Sequence, residues 1–327
     1  GEAFFARLGA SNLKRTICSS AKGAGYSMVM GSSQDYDSSH LVNSDFIVLW
    51  GSNPKVNRLH IMPYLNKAKK NGAKIVFIET YKNISTSIGD EILLIKPGTD
   101  SMLILAMLNY LDVNGLIDKD FIEKYTTGYD MLRENFKKYS IDDACRISGV
   151  DRDKFIKFCN EYAKAKKPMI LAGSGMSRHT NGAEAVRLLV CLPAVIGAWS
   201  RGGGTAGFGS AGGALDASIV KRPDFIDKSK RSINMNQLGN ALLDTENPPI
   251  KSFYVYNSNP AVMTPDQSRV IKGLEREDLF TVVRDRYLTD TAMYADIVLP
   301  ATFSVEQDDV SYAYGHYHIQ RSIKVIE

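Results

Sequence analysis

The chain has 327 residues, of which 44% are apolar and 23% charged, a balance typical of a soluble globular protein long enough for two domains. Its net charge of +4 is mild, and it has no dense run of Lys and Arg with interleaved aromatic residues, so nucleic-acid binding is not indicated. The longest nearly apolar stretch, residues 188–199, is too short to cross a membrane and contains Pro193. We therefore expect no direct membrane insertion.

The cysteines give little sign of a metal cluster or a disulfide framework. They are Cys18, Cys145, Cys159 and Cys191. None belongs to a Cys-x-x-Cys pair, so this sequence encodes neither a zinc ribbon nor an iron–sulfur cluster. Cys18 lies in a run of small residues, 17–25, where glycine and serine allow the backbone to approach a ligand closely.

The first predicted α/β unit begins with a short apolar strand at residues 46–50. A helix near 57–70 should end at an Asn-Gly pair, which is typical of a helix C-terminus. The turn 96–100 then precedes a helix at 101–111 that is apolar nearly all round, so we predict that this helix is buried.

Residues 118–166 are predicted to be helical, with Asp151 as an N-cap. The last helix of this region has an apolar face formed by Phe155, Phe158, Cys159 and Tyr162. Because this stripe is typical of a core-facing helix, we interpret Cys159 as a core residue and not as a ligand.

A strand at Pro168–Ala172 leads into the glycine turn 173–182 and a helix to about Ala198, which makes a second junction of strand, glycine turn and helix. Arg178 and His179 in this turn could contact an anion.

Seven glycines between residues 202 and 213 indicate either a flexible linker or a loop wrapped closely on a ligand. Residues 221–231 are charged and predicted to be exposed, and no structure is predicted for the Tyr- and His-rich residues 312–318.

Part of the sequence occurs twice, at a fixed offset of 206 residues. The strand and Ser-Asn-Pro turn of residues 45–54 return at residues 251–260, and an acid, Glu79 or Asp285, ends the next strand of each copy. A duplicated binding half suits two similar ligands, or one ligand with two similar ends.

Each copy has the parts of a nucleotide site. Open α/β sheets bind ligands at the carboxyl ends of their strands, and the N-terminus of a following helix favours phosphate. An acid at the tip of the second strand can bond a ribose diol or a guanine edge. A single mononucleotide-binding or flavodoxin-like module is an alternative, but it does not explain the second copy.

The patterns together predict an α/β protein with two mainly parallel-sheet, Rossmann-like or doubly wound subdomains related by the internal repeat. We assign residues 1–40 to a segment that carries Cys18, residues 41–165 to the first subdomain and residues 166–327 to the second. A ligand is expected in the cleft between the two subdomains.

Five motifs occur in an order that resembles molybdopterin oxidoreductases of the dimethyl sulfoxide reductase family, and the resemblance covers nearly the whole chain. The motifs occupy residues 51–54, 96–100, 173–182, 202–204 and 289–301. The resemblance implies a bis(molybdopterin guanine dinucleotide) cofactor that holds molybdenum or tungsten, and its two dinucleotides would account for the repeat.

The resemblance also implies a set of site residues. One dinucleotide would be held by Gly51, Ser52, Asn53, Glu79, Gly98 and Asp100. The other would be held by Asn259, Asp285 and Thr291, while Gly173, Gly175, Arg178 and His179 would lie near the pterin. Cys18 would ligate the metal, and His179 would have an electrostatic or proton-transfer role. The alternatives are a small buried cysteine and an ordinary turn histidine.

The sequence departs from the family at Glu79-Thr80-Tyr81, where the usual pattern is Asp-Pro-Arg: the acid is kept and the arginine is lost. The family's cysteine-rich N-terminal segment, where an iron–sulfur cluster would lie, and its C-terminal barrel-like domain have no counterpart here. The chain also opens on Gly1 in mid-pattern, so we expect the central part of a longer enzyme, inactive by itself.

The function implied by the resemblance is two-electron redox of a small molecule, by oxygen-atom transfer or formate-type oxidation. Its partners would be a small-molecule substrate and an iron–sulfur electron-transfer subunit, in the cytoplasm or alternatively the periplasm. A second hypothesis is a non-catalytic scaffold of the same fold without metal, like the corresponding domain of respiratory complex I.

Overall fold

The structure is a computed structural model that describes residues 1–32, 36–206, 216–312 and 317–327. Part of the glycine-rich stretch between residues 202 and 213 therefore lies outside the described residues. The chain divides into two compact units. The larger unit comprises Ala21–Ala214 and Tyr312–His318. The smaller unit comprises Gly1–Ser20, Leu215–Ser311 and Ile319–Glu327.

The strands are β1 (Asn12–Lys14), β2 (Phe46–Trp50), β3 (Lys74–Glu79), β4 (Glu91–Leu94), β5 (Pro168–Ala172), β6 (Gly204–Ala206), β7 (Ser232–Asn234), β8 (Ser252–Tyr256), β9 (Phe280–Asp285), β10 (Ile297–Pro300), β11 (Asp309–Tyr312) and β12 (Ile319–Ser322). The α-helices are α1 (Glu2–Arg7), α2 (Ser20–Met30), α3 (Pro54–Asn57), α4 (Met62–Lys70), α5 (Asp100–Val113), α6 (Lys119–Tyr125), α7 (Tyr129–Phe136), α8 (Ile141–Ser148), α9 (Arg152–Lys164), α10 (Gly182–Val195), α11 (Ser218–Lys221), α12 (Leu238–Asp244), α13 (Pro260–Met263) and α14 (Gln267–Leu274). Short 3-10 helices occupy Ser38–Asn43, Leu59–Ile61, Ile84–Ile88, Ser174–Ser177, Ala198–Arg201, Pro223–Phe225, Met235–Gln237 and Thr291–Tyr294.

The larger unit is built on a parallel sheet with the strand order β4-β3-β2-β5-β6. The central strands β2 and β5 are buried along their whole length, as expected of apolar strands covered on both faces. Successive residues of a strand point to opposite faces. Phe46 and Val48 accordingly join a core with helices α5, α9 and α10, whereas Ile47 and Leu49 pack with α4.

The division of the chain differs from the one expected from the sequence. β5 pairs in parallel with β2, with Pro168 opposite Phe46, and β6 pairs with β5. The strands between residues 168 and 206 therefore complete the first sheet, and the boundary does not fall at residue 165. Residues 21–32 and 36–40 also belong to the larger unit. Periodicity predicts a strand but not its partner, because parallel neighbours are joined through long helical connections.

The smaller unit contains a second parallel sheet, with the strand order β10-β9-β8. Its main apolar cluster joins the helices α12, α13 and α14 through Leu242, Ala261, Val270 and Leu274. β1 and β7 form a separate parallel pair, and β11 and β12 form another two-stranded sheet.

The repeat found in the sequence is present in the structure, in the same register. Phe46 lies opposite Lys74 in the first copy, and Ser252 lies opposite Phe280 in the second. The pairing of the third strand with the second keeps the same offset. The prediction of a mixed α/β fold with mainly parallel sheets is confirmed.

Helix α5 confirms the buried helix expected at residues 101–111, since most of its side chains lie in the core. Helix α4 corresponds to the helix expected near residues 57–70. It begins later than expected, at Met62, because α3 and a 3-10 turn occupy the preceding residues. Helix α10 ends at Val195 and not near Ala198, since Gly197 adopts a left-handed backbone with φ +64°.

Helix α9 has the predicted cap and the predicted core face. The carboxylate of Asp151 accepts a hydrogen bond from the Lys154 backbone N–H at 2.9 Å. Cys159 lies on the buried face, and burial raises the pKa of its thiol well above the ordinary value. Among the described residues, no helix is long and apolar enough to cross a membrane.

Candidate functional site

The carboxyl edge of the larger sheet brings the turn after β2 against the turn after β5. The Gly173 backbone N–H donates to the Trp50 carbonyl at 2.7 Å, and the Gly175 N–H donates to the Gly51 carbonyl at 3.3 Å. Gly51 itself adopts φ +59°, a left-handed conformation that glycine takes without a steric cost. Three of the predicted site residues therefore meet at one point of the sheet edge.

Glycine at position 173 is required by this crossing of two backbones. A Cβ atom there would lie 1.8 Å from the Gly51 carbonyl oxygen and 2.6 Å from the Ser52 Cα. At position 175 a Cβ would lie 3.0 Å from the same carbonyl oxygen. Packing alone thus accounts for Gly173, and any ligand contact by this residue would be made through its backbone.

Glu79 ends β3 at the same edge and is only 7% exposed. Its carboxylate accepts hydrogen bonds from the backbone N–H groups of Ser52 and Thr80 and from the Asn83 side chain. Burial, reinforced by the charge of Asp100, raises the pKa of Glu79 to about 7 against the opposing effect of these bonds. The group can therefore gain or lose its proton near neutral pH.

Asp100 lies in the first turn of α5 and bonds Trp50, the last residue of β2. The Trp50 indole Nε1 donates to the Asp100 Oδ1 at 2.7 Å, and burial raises the pKa of this carboxyl against the opposing effect of that hydrogen bond. Asp100 is buried, and its hydrogen-bond partner Trp50 is buried as well. The contact with Trp50 depends on how strand and helix pack, so no pattern in the sequence predicts it.

The turn before α5 lies beside the glycine turn after β5. A Cβ on Gly98 would lie 3.7 Å from the His179 ring Nδ1, and Gly98 adopts φ +77°. The Asn181 side-chain amide donates to the Gly98 carbonyl at 3.2 Å. Asn181 was not among the predicted site residues, although its position directly before a helix that starts with glycine could have indicated it. His179 is half-buried and Arg178 is exposed.

The polar turn after β2 contains a buried hydrogen-bond network. The Ser85 hydroxyl donates to the Asn53 side-chain Oδ1 at 2.5 Å, and it accepts from the Lys55 backbone N–H at 2.8 Å. Ser85 is fully buried, so these bonds cannot be replaced by bonds to water. The Asn53 amide is held with its oxygen directed inward.

The second copy has the same network at positions offset by 206 residues. The Thr291 hydroxyl donates to the Asn259 Oδ1 at 2.6 Å and accepts from the Ala261 backbone N–H at 3.0 Å. Even the backbone of the two asparagines agrees, with φ −120° and ψ 72° at Asn53 and φ −122° and ψ 73° at Asn259. Ser85, the counterpart of Thr291, was missed as a site residue, although the offset could have identified it.

The two copies differ at their acids. Asp285 is half-buried, and its Oδ1 accepts from the backbone N–H groups of Arg286 at 2.7 Å and Tyr287 at 3.2 Å. Glu79 of the first copy is instead buried. The Asn259 amide nitrogen also donates to the Asp290 carboxylate at 3.1 Å, whereas within the described residues no such bond is made by the amide nitrogen of Asn53.

A second pair of acids in the repeat is structural. Asp90 Oδ2 accepts from the Ile75 backbone N–H at 2.8 Å, and Asp296 Oδ2 accepts from the Thr281 N–H at 2.7 Å. Each carboxylate ties the approach to the third strand to the start of the second. The recurrence of these aspartates in the sequence therefore follows from the fold and does not indicate a ligand.

Cys18 is an exposed free thiol in the smaller unit, so it is not a core residue. The segment before it is held by Thr16, whose hydroxyl donates to Asn234 Oδ1 at 2.5 Å and accepts from the Asn236 amide at 3.1 Å. An exposed thiol on an anchored segment can serve as a ligand once it is deprotonated.

Comparison with known proteins supplies the family. A family model described as molybdopterin oxidoreductase matches residues 2–327. The chain is 42% identical over 326 residues to the probable oxidoreductase YoaE of Bacillus subtilis, covering 99% of this chain and 48% of that protein. It is 33% identical over 305 residues to a formate dehydrogenase subunit alpha of Methanocaldococcus jannaschii, covering 86% of this chain and 45% of that protein.

Two further comparisons agree. The dimethyl sulfoxide reductase DmsA of Escherichia coli is 28% identical over 313 residues, covering 83% of this chain and 38% of that protein. The solved structure of acetylene hydratase from Pelobacter acetylenicus has the same fold, with a TM-score of 0.74 and 20% identity over 97% of this chain and 52% of that one. The chain spans about half the length of these curated relatives. On the family match over residues 2–327, this chain belongs to the molybdopterin oxidoreductases.

Proposed function

We propose that this chain is the cofactor-binding part of a molybdenum or tungsten oxidoreductase that holds bis(molybdopterin guanine dinucleotide). Membership of the family implies a molybdopterin cofactor. The proposal of two guanine dinucleotides rests on the repeated hydrogen-bond network. In each copy a buried hydroxyl joins an asparagine side chain to a backbone N–H at the start of a helix, and the bond lengths match. Two copies of one architecture suit a cofactor with two guanine dinucleotide ends.

The residues of the first copy fit one such end. Guanine presents N–H donors on one edge, and a carboxylate has about four acceptor positions, so Glu79 could accept from a base as well as from its protein donors. The Asn53 amide nitrogen remains able to donate to a phosphate or ribose oxygen. This half-site would be shaped by Gly51, Ser52, Gly98 and Asp100. Asp100 would act indirectly, through its hydrogen bond with Trp50.

The second end would be held by Asn259, Asp285 and Thr291. Thr291 is fully buried under Asn259, so its role is to orient the asparagine and not to contact the ligand itself. Asp285 is the more accessible acid of the two copies and would accept from the base or the ribose.

Cys18 would be the protein ligand of the metal. Within the described ranges, no group of three or more His, Cys, Asp or Glu side chains could hold a metal ion. A single soft thiolate is the donor set expected when a cofactor supplies the remaining ligands through its own sulfur atoms. When bound, the metal group would supply the two-electron redox chemistry.

Gly173, Gly175, Arg178 and His179 are proposed to face the pterin end. Arg178 is exposed and can pair with an anionic group, and His179, which is half-buried, would have an electrostatic or proton-transfer role beside it. Together they would orient the cofactor and stabilise charge beside it, while the reaction occurs at the metal.

The reaction class proposed is two-electron conversion of a small molecule, either oxygen-atom transfer or formate-type oxidation. Relatives include a formate dehydrogenase subunit and a dimethyl sulfoxide reductase, which correspond to these two classes. An iron–sulfur subunit is the proposed electron-transfer partner, in the cytoplasm or alternatively the periplasm.

One observation favours a non-catalytic scaffold as the second candidate. Tyr81 stands where the family usually has an arginine that would accompany the first dinucleotide, and its side chain is 61% exposed. A scaffold would keep the repeated networks as fold elements but would bind neither pterin nor metal.

The test uses the full-length polypeptide, purified without air from a host that makes the cofactor. Wild-type protein should carry about one metal per chain, and Cys18→Ala should lose most of it while its circular dichroism is unchanged. Cys191→Ala is the matched control, because Cys191 is partly buried in α10 and bonds the Arg187 carbonyl. Equal metal content in Cys18→Ala and wild type would exclude Cys18 as the ligand.

A further inference from the structure

Lys22 is a buried side chain at the carboxyl edge of the larger sheet that the proposed site does not use. It is 6% exposed, and its Nζ donates to the Ala172 carbonyl at 2.7 Å. Lysine is rarely buried unless it has a partner. Ala172 is the last residue of β5, directly before the glycine turn that begins at Gly173. A lysine therefore ties helix α2 to the strand end from which this turn departs.

The same helix contacts the other side of the turn. A Cβ atom on Gly25 would lie 2.2 Å from the Ala183 carbonyl oxygen and 3.0 Å from the Arg187 backbone nitrogen, in the first half of α10. Helix α10 begins where the glycine turn ends. The close approach at Gly25, expected from sequence to serve a ligand, is thus made to a helix.

A third contact reaches the neighbouring strand. The Tyr26 hydroxyl forms a 3.2 Å hydrogen bond with the Thr205 hydroxyl of β6, and both side chains are fully buried. Lys22, Gly25 and Tyr26 lie on one face of α2, since they are three or four residues apart. That face fixes α2 against the end of β5, the start of α10 and β6.

We propose that Lys22 is a positioning residue: it fixes the start of α2 to the end of β5 and thereby limits, through the peptide chain, the freedom of Cys18. Cys18 precedes Lys22 by four residues. Four residues of chain reach at most ~14 Å, so the anchor restricts where the thiol can lie. The Lys22 amino group acts through the peptide chain and need not touch the metal.

This proposal rests on the proposed function, because it assumes that Cys18 ligates the metal. It assigns a further residue to that site and predicts which change would disturb the ligand while leaving the fold intact. Residues that orient a metal ligand commonly change metal affinity by about 10- to 100-fold when they are replaced.

The test compares Lys22→Met, Lys22→Arg and Tyr26→Phe in full-length protein purified without air. Lys22→Met keeps the length of the side chain but removes the donor, Lys22→Arg restores a donor, and Tyr26→Phe removes a different contact of the same helix face. The measurements are metal and pterin content, the paramagnetic resonance spectrum of the half-reduced metal, hydrogen exchange across residues 16–30, and the melting temperature.

Lys22→Met should keep its melting temperature within a few degrees, lose about tenfold in metal occupancy or show an altered metal spectrum, and exchange faster in the first turn of α2. Lys22→Arg should recover part of each effect, and Tyr26→Phe should leave the metal spectrum unchanged. The outcome that overturns the proposal is a Lys22→Met protein with wild-type metal content, spectrum and exchange, when Cys18→Ala has lost its metal.

A different result identifies failure of the proposed function itself. If wild-type protein holds no metal and Cys18→Ala behaves identically, Cys18 is not a ligand and the role of Lys22 toward it falls as well. Faster exchange in Lys22→Met without any change at the metal would assign Lys22 to fold stability alone, which also contradicts the proposal.

Discussion

The two copies of the repeat agree in their hydrogen bonds but differ in burial, and the difference separates what the fold requires from what a ligand would use. The agreement extends to the asparagine backbone and to the aspartates that tie the third strand to the second. The acids at the strand tips differ, since Glu79 is buried and Asp285 is half-buried. The shared bonds build the half-site, while the acids and their surroundings make the two half-sites unequal.

The position before the Ser-Asn-Pro turn shows the same contrast. Gly51 and Asn257 both adopt left-handed backbones, with φ +59° and +53°. A Cβ on Gly51 would lie 3.0 Å from the Met176 backbone nitrogen, so this copy needs glycine for space as well as for conformation. Asn257 is exposed, and the second copy therefore tolerates a side chain there.

The largest expected effect on stability comes from the ionisation of Glu79, so it depends on pH. The folded chain has a Glu79 pKa of about 7 against an ordinary value of 4.5, so folding favours the protonated acid. The contribution of Glu79 to stability should therefore be greatest below about pH 4.5, fall as the pH rises to about 7, and stay constant above that. The loss across this window is on the order of 3 kcal/mol.

Glu79→Gln should remove this dependence, because glutamine does not ionise. The free energy of unfolding would be measured by urea titration of cofactor-free protein between pH 4.5 and 8, as wild type minus variant. Asp285→Asn is the matched control from the second copy and should retain the dependence, since Glu79 remains in place. A wild-type curve parallel to that of Glu79→Gln would contradict the assigned pKa.

The next largest loss of stability should follow removal of the buried hydroxyls of Ser85 and Thr291. Ser85→Ala removes the donor to Asn53 Oδ1 and the acceptor of the Lys55 N–H, and each buried group left without a partner costs about 1–3 kcal/mol. Thr291→Val should cost less, because the Thr291 backbone N–H still donates to Asn259 Oδ1 at 3.1 Å.

Thermal unfolding of both variants would measure this inequality. The exchanges Ser85→Thr and Thr291→Ser keep the hydroxyls and serve as controls, with changes well below those of the hydroxyl-free variants. If Thr291→Val is at least as destabilising as Ser85→Ala, the Thr291 backbone N–H does not compensate for the lost hydroxyl. That result would contradict the expected difference between the two networks.

The smallest effect should come from the left-handed positions. Asn257→Gly removes the conformational cost of a left-handed side-chain-bearing residue but adds freedom to the unfolded chain, so we expect a change within about 1 kcal/mol. Gly51→Ala should destabilise by more, because both the conformation and the contact with Met176 oppose the added Cβ. Equal effects in differential scanning calorimetry would refute the asymmetry at this position.

Much of the fold could be predicted because local patterns determine it. The apolar runs predict β2 and β5 with their observed ends, Asp151 predicts the cap of α9, and the fixed offset predicts the second sheet in its correct register. The partner of β5 could not be predicted, since the distance in sequence between it and β2 carries no signal of adjacency. The domain boundary near residue 165 was misplaced for that reason.

The site was predictable in its residue types and less so in their roles. The resemblance implies that Gly173 lies near the pterin, yet the space left by the Gly51 carbonyl already requires glycine at this position. The bond between Trp50 and Asp100 and that between Lys22 and Ala172 join residues far apart in the sequence, so neither could be inferred from spacing. Such contacts depend on packing, which determines burial and hence the raised pKa of Glu79.

The most direct test of the account is the number of guanine nucleotides and pterins released per chain. Full-length protein purified without air would be hydrolysed, and the guanine nucleotide and fluorescent pterin would be counted against protein and metal. The account predicts two guanine nucleotides, two pterins and one molybdenum or tungsten per chain. A folded protein from a cofactor-producing host with neither nucleotide nor pterin, or with only one of each, would contradict the claim that the two copies hold two dinucleotides.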